Sequence, residues 1–109
     1  MPRIPYAEPT PGSRAAEELA RSPMNVMRVL AHSEEGVRAF SKMGGVILNK
    51  STLDKVLKEL AILRVGHLLG ATYETFHHER IARAAGMSDA QIEGARTGKG
   101  AGLSEDDKI

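Results

Sequence analysis

Glu74 and His78 stand four residues apart in "YETFHHER", and on a helix that spacing puts a carboxylate and an imidazole on one face. Such a carboxylate can orient the ring. A second pair with the same spacing, Tyr73 and His77, lies about 100° further round. Upstream, "LKELAILRVGHLLG" adds Glu59, Arg64 and His67. Two carboxylates and one imidazole beside apolar side chains are suited to moving a proton. Arg64 and His67 fall among leucines, where a charge needs a partner or a water-filled cleft. Arginine serves ion pairing and anion binding alike, so Arg64 can pair with Glu59, pair with a neighbouring subunit, or hold an anionic substrate.

Plainer readings fit the same residues. His77 and His78 can be a polar helix face and a satisfied interior histidine. A metal held by His67, His77, His78 and a glutamate is a second option, but the one-turn histidine pair of HExxH is missing. Lys99 in "GKGAG" does not sit in a phosphate loop, because the GxxxxGK[ST] pattern is absent. The expectation is therefore a site without metal or cofactor.

The elements that position these residues read as helices throughout. Pro2, Pro5, Pro9 and Pro11 make residues 1–12 an extended arm, which Ile4 and Tyr6 could anchor on a neighbour. Ser13 starts a helix that ends at Pro23, and a second helical stretch carries Val26, Val29 and Leu30. Ser33 caps a third, with two glutamates in its first turn and Gly44-Gly45 at its end. Thr52 is the expected cap of the longest helix, Leu53–Leu69. On that helix Leu53, Val56, Leu57, Leu60 and Leu63 share a face opposite Asp54, Lys55 and Lys58, and from Ala61 onward the pattern predicts burial all round.

Glu59, Gly66 and Gly70 form a stripe of their own, which predicts close approach by the next helix, folded back as an antiparallel hairpin. Gly70 breaks the chain and Thr72 caps the helix that ends at Gly86; Ser88 begins another. Without that break Glu59 and His78 would lie about 28 Å apart along one axis. Ser104 with Asp107 has the form of a further helix start, which predicts a domain over 13–109 truncated at its C-terminal side.

Composition removes other classes. The 109 residues suit one small domain, and a net charge of +1 offers no basic field for nucleic acid. The absence of cysteine excludes disulfides, thiolate catalysis and cysteine-held metals. No apolar run reaches the roughly 18 residues of a membrane span, and "MPRIPYAEPTPG" lacks a signal core, so the expected location is cytoplasmic. A chain this small, poor in aromatics, is expected to be stabilised by association.

From "LAHSEEGVRAF" through "KELAILRVGHLLGATYETFHH" to "AGLSEDD" the sequence resembles the carboxymuconolactone decarboxylase family of the alkylhydroperoxidase D-like superfamily. The resemblance implies an all-α fold around a central antiparallel helix hairpin and homo-oligomers, commonly trimers or hexamers. The peroxidase branch of the superfamily carries a glutamate, a CxxC pair and a histidine four residues beyond the second cysteine. Here Glu59 matches the glutamate and His78 the histidine, while Ala71 and Glu74 occupy the cysteine positions. Neither can attack a peroxide as a thiolate does, which disfavours a peroxidase.

Glutamate in that place is similar to the decarboxylase-like branch, lyases of aromatic compound degradation that use acid–base chemistry on acids such as 4-carboxymuconolactone. On this resemblance Glu59, Glu74 and His78 are the expected catalytic set. Arg64 or His67 is expected to hold the carboxylate of a small organic acid, and Tyr73 or His77 to line the pocket. The alternative is a non-catalytic helical oligomer that binds a small ligand or partner.

Overall fold

The computed structural model describes residues 3–99. They form six helices, and no strand occurs among them: α1 Arg14–Arg21, α2 Asn25–Leu30, α3 Glu34–Asn49, α4 Lys55–Leu68, α5 Thr72–Ala84 and α6 Asp89–Thr97. None of the described helices is long and apolar enough to cross a membrane. The chain divides into two compact units, Met1–Ser51 and Thr52–Ile109.

In the first unit, Ser13 Oγ accepts a hydrogen bond from the Ala16 amide and Ser33 Oγ one from Gly36, capping α1 and α3. The expected stop at Gly44-Gly45 does not occur, because α3 runs on to Asn49. Neither glycine takes the left-handed conformation that ends a helix, and the apolar residues after them continue the hydrogen-bonded ladder. Each glycine costs the helix up to about 1 kcal/mol, too little to break it against that cooperative ladder. Ala15, Met27, Ala31 and Val37 form the core, flanked by Leu19, Val26 and Leu30. The proline arm lies on its own chain. The Ala7 amide donates to the Arg28 carbonyl at 3.0 Å, His32 Nε2 donates to the Pro5 carbonyl at 2.7 Å, and the Arg28 guanidinium stacks over Tyr6. Ile4 stays exposed.

The second unit holds the hairpin. Its first helix starts later than expected: Asp54, not Thr52, is the cap, and its Oδ1 accepts from the Val56 and Leu57 amides at 2.9 and 3.1 Å. A carboxylate satisfying two end amides beside the positive end of the helix dipole outcompetes a hydroxyl two residues earlier. With 14 residues α4 is also shorter than α3, which has 16. Gly70, at φ +63°, turns the chain, and α5 follows. Its cap residue is Ala71, with no side-chain bond; Thr72 is already helical, so the cap expected there is not formed.

The pairing of Glu59 with His78 and of Gly66 with Thr75 makes α4 and α5 antiparallel. A Cβ at Gly66 would stand 2.8 Å from Thr75 Cγ2, so this glycine is required by the close approach. Ser88 and Gln91 build a reciprocal capping box for α6, and Gly86 and Gly98 end α5 and α6 in left-handed conformations. Leu63, Ala82, Met87, Ile92 and Ala95 form the core, with Val56 and Leu60 against it.

Two expectations about α4 are corrected. Its second half is not buried all round, since Val65 and Leu68 are more than half exposed, as is Leu69 just beyond it. Within this unit α5 and α6 cover the sides that carry Glu59, Leu63 and Gly66 and leave a third side open. Lys58, placed by the sequence on the outer face, is only 7% exposed. The helix start expected at Ser104–Asp107 lies outside the described residues.

Candidate active site

Glu59 projects from the middle of α4, 4% exposed, and its Oε2 lies 2.7 Å from His78 Nδ1 on α5. Helical spacing places Thr75, His78 and Ala82 on the side of α5 that meets α4, so the ring is carried inward. With Glu59 ionised, Nδ1–H is the donor and the carboxylate the acceptor. That bond fixes the tautomer: in the neutral ring Nε2 carries the lone pair and is the basic atom. Glu74, one turn before His78 and half-exposed, brings Oε2 to 3.7 Å from Nε2. The separation is too long for a hydrogen bond. Two acceptors thus face each other across a gap that a proton or a donor can close.

Glu74 stands on the rim of a groove of about 410 Å³, whose walls are Ala61, Ile62, Val65, Gly66, Leu69 and Ala71. The groove is open to solvent, with Val65 and Leu69 more than half exposed. Small side chains at 61, 66 and 71 leave the room. The sequence reading missed these wall residues, having taken the run from Ala61 as interior. The signal was present as alanine and glycine among larger apolar residues.

The remaining expected site residues point elsewhere. Arg64 Nη1 donates to the Ala95 carbonyl at 3.4 Å, and its guanidinium packs so closely on Gly98 that a side chain there would collide with it. It therefore caps the C-terminal end of α6 and does not line the groove. His67 Nε2 is buried without a hydrogen-bond partner among the described residues, and Glu79 Oε1, unnoticed in the sequence, is 3.8 Å away. Tyr73 and His77 do meet, edge to face at 4.6 Å between ring centres, with Phe76 against His77 at 5.3 Å. They are not among the groove walls. On α6 the Arg96 hydrogen bond holds the Glu93 carboxyl below its usual range, and Glu93 raises Arg96 in return. Among the described residues no three histidine or carboxylate side chains gather as a metal site would require.

Helices alone, a hairpin broken at Gly70 and a glutamate–histidine pair across it define an alkylhydroperoxidase D-like helical fold. The sequence pattern of the carboxymuconolactone decarboxylase family matches residues 34–104, more than half of the chain, and the chain belongs to that family. No curated protein and no solved structure matches it significantly.

Proposed function

We propose that the protein is a cofactor-free acid–base catalyst, a decarboxylase-like lyase acting on a small carboxylated lactone or related organic acid. The observation that carries the reading is the Glu59–His78 bond, which leaves His78 Nε2 basic and aimed at Glu74 beside an apolar groove. In this mechanism His78 Nε2 takes or delivers the proton at the reacting carbon, and Glu59 stabilises the imidazolium that forms. The Glu59 bond orients the ring, and Glu74 orients the substrate. The family supplies the reaction class; the residues supply the proton path. A cytoplasmic homo-oligomer, a trimer or hexamer as is common in the family, belongs to the same proposal. The apolar side chains left exposed on α3 support association.

The test is carbon dioxide release from a panel of carboxylated lactones, including 4-carboxymuconolactone, by the wild type and by Glu74→Gln and His78→Gln. Turnover by the wild type, reduced about 100-fold or more in His78→Gln with the fold intact, is the expected result for loss of a general acid–base group. Equal turnover in all three proteins would remove the assignment. Binding of such acids with no turnover by the wild type would favour the non-catalytic oligomer.

A further inference from the structure

We infer that the groove beside Glu74 receives the uncharged, hydrogen-bond-donating end of its ligand, a hydroxyl or enol, and discriminates against a carboxylate placed there. The inference rests on the catalytic reading above and narrows its substrate class: the groove-facing end of the molecule is neutral, whatever charge it carries elsewhere.

Three observations carry it. First, Glu74 is the one charged residue among the described walls of the groove, and the other walls are apolar side chains and a glycine. A ligand anion seated there would meet a like charge, and no lysine or arginine is among those walls. Behind Glu74, across the His78 ring, stands a second carboxylate, that of Glu59. Like charges in such proximity suppress binding. Second, the arginine expected to receive a ligand carboxylate is engaged elsewhere: Arg64 is held at the Ala95 carbonyl and packed on Gly98. His67 Nε2 is buried facing Glu79.

Third, His78 Nε2 and Glu74 Oε2 stand 3.7 Å apart, and in the neutral ring both are acceptors. A carboxylate brings only further acceptors. A hydroxyl brings the donor that both atoms lack, and its apolar body can lie on Val65 and Leu69.

The test compares 1-naphthol, neutral at pH 7, with 1-naphthoate, an anion on the same ring system. Affinities are measured by calorimetry on the whole chain, with NMR shift changes at Val65 and Glu74 to locate binding. The expected result is 1-naphthol at least fivefold tighter, with the ratio falling to within twofold in Glu74→Gln. Val65→Trp, at an exposed wall position, should weaken both ligands. Naphthoate binding as tightly as naphthol, a ratio unchanged by Glu74→Gln, or no shift change at the groove with either ligand would each overturn the inference. Because binding is read without turnover, the two readings fail separately. A chain that decarboxylates lactone acids yet binds both probes equally loses only the selectivity, and an inactive chain that discriminates as stated loses only the catalysis.

Discussion

His78 and Glu59 meet across the hairpin through one hydrogen bond of 2.7 Å, although 19 residues separate them in the chain. The carboxylate side chain is 5% exposed and the imidazole 14%. The bond is therefore structural as well as chemical. Glu59→Ala leaves Nδ1–H buried without its acceptor, and the loss should be about 1–3 kcal/mol. Glu59→Gln keeps an acceptor oxygen and should lose less. Urea unfolding of the three proteins checks the order; equal stability of Glu59→Ala and the wild type would show that the contact contributes nothing to folding.

The close approach of α4 and α5 rests on Gly66. Gly66→Ala drives a methyl into Thr75 Cγ2, and overpacking of this kind costs about 1–3 kcal/mol. Thr75→Ser removes the opposing methyl and retains the hydroxyl that donates to the Thr72 carbonyl. The double variant should recover most of the loss, a coupling that a double-mutant cycle in thermal or urea unfolding measures. Strictly additive effects would mean that the helices relax apart.

Glycines of two kinds should respond in opposite senses. Gly70 has φ +63°, so Gly70→Ala strains the turn and should destabilise by about 1–2 kcal/mol. Gly44 and Gly45 are helical and a Cβ on either meets nothing within 4 Å. Gly44→Ala should stabilise α3 by about 0.5–1 kcal/mol. A loss of stability there instead would locate a second chain packed against α3.

Association is the expectation for the whole chain. Phe40, Met43 and Ile47 repeat at helical spacing along α3 and are 42–56% exposed. An apolar stripe on a small chain commonly marks a contact with another molecule, and a second copy is the proposed occupant. Light scattering coupled to size exclusion should give a mass well above the 11.8 kDa of one chain. A monodisperse monomer with a cooperative thermal transition would reject the oligomer.

Legibility in the sequence followed the range of the interaction involved. The caps at Ser13, Ser33 and Ser88 and the breaks at Gly70 and Gly86 are decided within a few residues, and these were readable. The all-helical class followed from them, and the alkylhydroperoxidase D-like fold from the family resemblance. Asp54 displaced Thr52 because two acceptable caps stood two residues apart and only the geometry of the end amides chose between them. Glu59, Glu74 and His78 could be brought near one another from helical spacing and one reversal. Arg64 and the groove could not be placed that way. Which side of α4 meets α6 fixes both the carbonyl that Arg64 reaches and the side left open beside Val65, and no local pattern encodes that choice.

The state of the His78 ring tests the proposed proton path most directly, and it needs no substrate. Long-range 1H–15N correlation spectra, recorded above the titration of the ring and assigned with His78→Gln, report which nitrogen carries the proton. Held by the Glu59 carboxylate, Nδ1 should be the protonated, pyrrole-type nitrogen and Nε2 the unprotonated, pyridine-type one. Glu59→Ala should release that preference. A ring protonated on Nε2 in the wild type would have no basic atom facing Glu74 and would contradict the proposed mechanism.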